Sequence, residues 1–239
     1  MARRRAVTAG LVQLLYPLRC PVCDGIVAPA GEKICLECLK RLRLLTPPWC
    51  MKCGKRLAAE GELCTDCQKR EHRFERGRAL YEYGSAAQAI YRFKYGGRRE
   101  YADFFGEQAA EYLGDFIRSV SPDALIPIPL HRRRKNERGY NQARLLAERI
   151  GAYLDVPVRS DILARGKNTS PLKYQNYEER QNNLKKAFNI RRNDVILKRV
   201  ILIDDIYTTG STMDEAADTL KAGGVEDVYF IALACGEGI

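Results

Sequence analysis

Short apolar runs alternate with amphipathic stretches along the last two thirds of the chain, and the first third follows neither pattern. Residues 78–84 (RALYEYG) read as a strand with its turn. Residues 85–119 carry helical spacing, interrupted at Gly96–Gly97, with Phe104, Phe105, Ala109, Tyr112, Leu113 and Phe116 on one period. The run 124–130 (ALIPIPL) is apolar, and Pro127 and Pro129 mark it as the end of a strand. Residues 140–154 form an amphipathic helix that stops before Pro157, and 159–165 (RSDILAR) fit a strand. Residues 166–190 are polar and aperiodic, and so long a loop in a compact domain is usually functional or mobile. The pattern then predicts a strand at 199–204, a turn at 205–212, a helix at 213–222 and a strand at 228–234. Strands alternating with helices predict a mostly parallel sheet with helices on both faces. Ligands of such sheets bind beyond the carboxyl ends of the strands, where the segments after residues 130 and 204 fall.

The first third is organised by cysteine instead. Eight of the nine cysteines fall in four CxxC pairs: Cys20 and Cys23, Cys35 and Cys38, Cys50 and Cys53, Cys64 and Cys67. Two thiolates three residues apart chelate one metal from a tight turn, and a second pair completes a tetrahedron. Gaps of 11, 11 and 10 residues favour sequential zinc sites, pairs one and two on one ion and pairs three and four on the other. Interleaved pairing is the alternative that spacing leaves open. Four-cysteine sites keep no open position for water, so the expected role is structural. These patterns divide the chain into a double zinc-binding domain, 1–75, and an α/β domain, 76–239. Cys235 stands alone on an apolar run, as a core or strand-end residue.

Composition narrows the setting. The 239 residues are 46% hydrophobic and 29% charged, as in a soluble globular protein. No apolar run is long enough to span a membrane. The basic start MARRR leads through a short, interrupted apolar stretch into paired cysteines, so a signal peptide is not expected. The cytoplasm is the expected compartment, which argues against disulfides. The formal net charge of +10 is concentrated in places: 131–138 (HRRRKNER) holds five basic residues and one acid. A cluster of that kind suits an anionic ligand, with a merely solvated face as the plainer reading. His131 is expected to make a polar loop contact.

The strand at 199–204 delivers Asp204 and Asp205 to its end, ahead of Thr208, Thr209, Gly210, Ser211 and Thr212. A hydroxyl- and glycine-rich turn before a helix suits a phosphate. Two carboxylates beside it suit vicinal sugar hydroxyls, or a Mg²⁺ shared with a diphosphate. Neither a Walker A sequence nor a GxGxxG fingerprint is present.

VILIDDIYTTGST resembles the ribose-5-phosphate-binding loop of type I phosphoribosyltransferases. Taken with PIPLHRRRKNERGYNQ, TSPLKYQNYEERQNNLKKAF and the four CxxC pairs, nearly the whole chain is similar to the ComF family of competence-associated proteins (the ComFC/GntX type). The resemblance implies a type I phosphoribosyltransferase-like α/β fold behind a small domain of four-cysteine zinc ribbons. It implies that Asp204 and Asp205, the catalytic candidates, contact the ribose hydroxyls and Mg²⁺ of phosphoribosyl pyrophosphate. Thr208, Thr209, Gly210, Ser211 and Thr212 would hold its 5-phosphate, and Arg132, Arg133, Arg134 and Arg138 its pyrophosphate. The segment 174–183, with Tyr174 and Tyr177, would close over the ligand. Several base-using members of the superfamily carry an acid two residues before the glycine of this loop, where this chain has Thr208. The resemblance further implies DNA uptake in natural transformation, with a ComFA-like helicase and weakly bound single-stranded DNA as partners. The alternative is an inactive phosphosugar-sensing or partner-docking module with no role in DNA.

Overall fold

In the computed structural model the alternating pattern becomes one parallel sheet covered by helices. Residues 17–236 are described, apart from 30, 59, 167–186 and 192–196. In chain order the elements are α1 (Leu36–Leu39), α2 (Thr65–Lys69), β1 (Gly77–Glu82), α3 (Tyr83–Tyr95), α4 (Tyr101–Val120), β2 (Ala124–Pro127) and α5 (Arg132–Arg138). There follow α6 (Gln142–Leu154), β3 (Leu163–Arg165), β4 (Phe188–Ile190), β5 (Arg199–Tyr207), α7 (Ser211–Ala222) and β6 (Asp227–Cys235). None of the described helices is long and apolar enough to cross a membrane.

The main sheet has the order β1-β6-β5-β2, and every pairing in it is parallel. Its central strands β5 and β6 are apolar on both faces, as covering from both sides requires. On one face lie α3, α4 and α6, through Ile90, Phe93, Phe105, Leu146 and Ile150. The other face carries α7 and the antiparallel pair β3–β4, through Met213, Leu220, Leu163 and Phe188.

Neither sheet edge is left bare, which removes a template for unwanted pairing. Residues 43–45, which join the two cysteine-rich modules, run antiparallel along β1: Leu45 N donates to Leu80 O and Glu82 N to Arg43 O, both 2.9 Å. At the β2 edge, Leu125 N donates to Pro157 O at 2.8 Å and Arg159 N to Leu125 O at 2.9 Å.

The cysteine-rich modules repeat one backbone design. Cys20 N donates to Gly25 O and Cys50 N to Lys55 O, while Asp24 N donates to Cys20 O and Gly54 N to Cys50 O. In each module the second CxxC pair opens a short helix, with Cys35 and Cys64 as N-caps. The modules straddle the sheet. The first packs Cys20, Val27, Ile34, Cys38 and Leu42 into the α3–α4–α6 core. The second packs Cys50, Cys53, Leu57, Cys67 and Phe74 into the α7 core. Gly54 comes so close to β1 that a Cβ on it would lie 2.7 Å from Gly77 O.

The structure departs from the sequence expectation in several places. Residues 131–138, expected as a loop, contain the helix α5. The expected strand 159–165 shrinks to β3, whose partner β4 lies in a segment with no strand signal. Strand β5 continues through Tyr207, and α7 begins at Ser211, so the turn is only 208–210. Tyr112 is half exposed, whereas Phe104, Phe105, Ala109 and Leu113 are buried as their period predicted.

Candidate functional site

Two clusters of four sulfurs gather in the modules: Cys20, Cys23, Cys35 and Cys38, then Cys50, Cys53, Cys64 and Cys67. Within each, all ligand atoms lie within 4.8 Å of one another, and Cys53 Sγ is 3.6 Å from Cys64 Sγ. A tetrahedral Zn²⁺ with bonds of about 2.3 Å holds its sulfurs roughly 3.8 Å apart, so the clusters fit zinc. The pairing is the sequential one.

A second site forms at the carboxyl ends of β2 and β5. Adjacent residues of a strand point to opposite faces, so Asp204 and Asp205 meet different neighbours. Asp205 faces α3, where Lys94 Nζ lies 2.7 Å from its Oδ1. Asp204 Oδ1 accepts from the Asp205 backbone N–H at 2.8 Å. Burial pushes the Asp204 carboxyl up to about 7 and the Asp205 charge adds to this, against the pull of Lys94 and Arg165. Arg165 ends β3, and Asp204 steadies its charge while burial and Arg134 oppose it. Arg165 is thus within electrostatic reach of both Asp204 and Arg134.

The turn after the acids is tightly held. Gly210 has φ +84°, and a Cβ there would sit 2.7 Å from His72 Cε1 and 2.9 Å from Tyr207 Oη. Thr209 and Ser211 exchange a hydroxyl bond at 3.1 Å. Among the described residues no side chain caps α7 at Gly210. Its first-turn acid, Asp214, instead accepts from Arg73 N and bonds His72 Nδ1, each at 2.9 Å. The first amides of α7 and the positive end of its dipole suit an anion. Thr208 is exposed, Thr209 and Thr212 half-buried, and Ser211 buried.

The basic segment divides by residue. His131 caps α5, its Nδ1 accepting from Arg133 N at 3.3 Å. Arg133 pairs with Glu137 at 3.0 Å, and Arg132 is exposed. Arg138 donates to Gln142 Oε1 at 3.1 Å and to Tyr95 OH at 3.0 Å. Arg134, half-buried, lies close enough to Arg165 to oppose its charge. The segment 174–183 lies outside the described residues.

Sequence reasoning missed Lys94, Arg165 and His72. The signal for Lys94 was a lysine in the last turn of a helix, just before Gly96–Gly97, whose side chain finds Asp205 only through the fold. His72 closes the cysteine-rich region in sequence and supports the turn from beneath.

Comparison with known proteins agrees with this architecture. Residues 11–68 match the family described as double zinc ribbon domain, and residues 139–237 the phosphoribosyl transferase domain. The two sulfur clusters are therefore structural zinc sites, and the sheet domain is phosphoribosyltransferase-like. Competence protein F of Haemophilus influenzae is 31% identical over 92% of this chain and 97% of its own. Competence protein ComFC of Bacillus subtilis is 30% identical over 88% of this chain and 91% of its own. DNA utilization protein YhgH of Escherichia coli K12 is 26% identical over 90% and 96%. Such identity over nearly the full length of both chains makes this protein a member of the competence protein F/ComFC family.

Proposed function

We propose that this chain binds phosphoribosyl pyrophosphate with Mg²⁺ at the carboxyl end of β5 and acts, in the cytoplasm, in DNA uptake during natural transformation. One observation carries the ligand reading: two carboxylates stand at the end of β5, directly before a helix whose first turn no side chain among the described residues caps. Asp204 and Asp205 would accept the ribose hydroxyls. Thr208, Thr209, Gly210, Ser211 and Thr212 would hold the 5-phosphate on the amides of α7. Arg134, with Arg132, Arg133 and Arg138 on the same short helix, would face the pyrophosphate. Mg²⁺ would neutralise charge on the diphosphate, as a Lewis acid does in phosphoryl chemistry. If phosphoribosyl transfer occurs, these residues stabilise the leaving pyrophosphate electrostatically. Thr208, standing where base-using relatives carry an acid, leaves the acceptor unassigned.

The names of the relatives, competence protein and DNA utilization protein, support the DNA arm. Single-stranded DNA, held weakly by the basic segment, and a ComFA-like helicase are the proposed partners. A module that senses a phosphosugar and takes no part in DNA handling is the second reading, favoured by the missing acid at Thr208.

Calorimetry with phosphoribosyl pyrophosphate and MgCl₂ tests the site, with the pyrophosphate released on adding bases or oligonucleotides as the second measurement. Asp204→Asn with Asp205→Asn is expected to abolish binding while circular dichroism shows the fold intact. Thr209→Val is expected to weaken ribose 5-phosphate too, with or without Mg²⁺. No heat with either ligand on the wild-type protein ends this reading.

A further inference from the structure

We propose that Lys94 is the resident cation of the acidic pair, standing where a divalent ion would otherwise have to neutralise Asp205. An ordinary lysine in the last turn of a helix extends its ammonium into water. Lys94 does not: its side chain is 16% exposed, its partner's 13%, and the two are 2.7 Å apart. Its place is fixed by more than the ion pair. Gln142, itself buried, donates to Phe93 O at 3.3 Å and to Lys94 O at 3.4 Å. Tyr140 OH donates to Phe93 O at 2.5 Å, and Gly96 N closes the helix on Arg92 O at 2.7 Å. The end of α3 is thereby anchored to the start of α6, and the negative end of the helix dipole favours the ammonium there.

Asp204, on the opposite face of β5, has Arg165 within electrostatic reach. Lys94 from α3 therefore contacts Asp205 and also acts on Asp204, to which Arg165 from β3 adds a second, weaker cation. A carboxylate held by one ammonium keeps lone pairs for further donors, so it can still accept sugar hydroxyls. The consequence deepens the ligand reading above and, for its sugar arm, rests on it. The ribose is bound without a metal held by the aspartates, and any Mg²⁺ requirement belongs to the diphosphate.

The test has two arms, one free of sugar. In thermal unfolding with MgCl₂ alone, the wild-type melting temperature stays constant. Lys94→Met melts roughly 5–15 °C lower, because it leaves Asp205 buried without its partner. MgCl₂ recovers much of that loss by replacing the ammonium. Lys94→Met with Asp205→Asn removes both charges, melts closer to wild type and ignores MgCl₂. It also keeps the proposal falsifiable if the single variant fails to fold. A wild-type melting point that rises with MgCl₂ as much as the single variant's, or a double variant no more stable than the single one, overturns the proposal.

In calorimetry with ribose 5-phosphate, which carries no diphosphate, wild-type affinity is expected to be indifferent to MgCl₂. Lys94→Met is expected to lose about tenfold or more without the ion and to regain most of it with the ion. Wild-type binding that requires MgCl₂ overturns the proposal. If ribose 5-phosphate binds neither protein, the phosphoribosyl reading fails, and the sugar-free arm still decides the role of Lys94.

Discussion

Asp204 shows how a single carboxylate reports on its surroundings. Burial holds its folded-state value near 7, well above the 3.8 of a free aspartate. Between those values the folded protein binds more protons than the unfolded chain, so this group's contribution to stability is full at low pH and is lost as pH rises toward 7. Asp204→Asn removes the dependence. Without ligand or Mg²⁺, melting points of wild type and variant are expected to diverge from about pH 4 to pH 7, the variant gaining relative to wild type, and to run parallel above that. Parallel profiles from pH 5 to 8 would show that Asp204 titrates normally. Asp123 runs the opposite way, since the amides of Lys198 and Arg199 hold its carboxyl low, but it is common to both proteins and cancels in the comparison. The acidic pair was legible in sequence because four apolar residues deliver it to a strand end. Lys94 was not legible, because its meaning comes from a long-range contact and a lone lysine at a helix end is ordinary.

At the scale of elements, periodicity served well where one face is buried and failed where it is not. Helices α4 and α6 repeat apolar residues on their core faces, and both were found. Helix α5 has no buried residue, so no apolar signal announced it. It forms around the His131 cap, the Arg133–Glu137 pair and the left-handed Gly139, local features that look like loop chemistry in sequence. Strand β4 is too short for a period to show. The helical form of α5 sharpens a prediction. Exposed Arg132 and half-buried Arg134 do not share one environment, so their loss should not have one effect. Arg134→Ala is expected to weaken phosphoribosyl pyrophosphate by about tenfold while sparing ribose 5-phosphate, the loss of one charge-assisted contact. Arg132→Ala is expected to spare ribose 5-phosphate, to weaken phosphoribosyl pyrophosphate less than Arg134→Ala does, and to flatten the salt dependence of single-stranded DNA binding by about one unit of slope. Titrations at several salt concentrations decide this. Equal effects of the two substitutions on both ligands would remove the distinction.

Across the whole molecule the zinc modules are wedged into both cores. A zinc-stapled domain, 1–75, beside an independent sheet would unfold on chelation and leave the sheet standing. Packing argues otherwise, because Cys20 and Cys38 share a cluster with Phe93 and Phe105, and Cys50, Cys53 and Cys67 share one with Phe230 and Leu220. The strip 43–45 between the modules also completes the β1 edge. Structural zinc binding is worth on the order of 10 kcal/mol in isolated zinc peptides, comparable to the ~5–15 kcal/mol that holds a whole domain together. Removing it should therefore cost the sheet as well as the modules. The second module is followed directly by residues that reach the 208–210 turn, since His72 and Arg73 hold Asp214 and His72 lies against Gly210. Chelation is therefore expected to lower the melting point of the far-ultraviolet dichroism signal in one cooperative transition, and to abolish binding of ribose 5-phosphate before the helices melt. Cys50→Ser, confined to the second site, is expected to lose ribose 5-phosphate more severely than Cys20→Ser, whose module packs on the opposite face. Two separable transitions under chelation, with the sheet's midpoint and its ligand affinity unchanged, would show instead that the modules are appendages to an independent sheet domain.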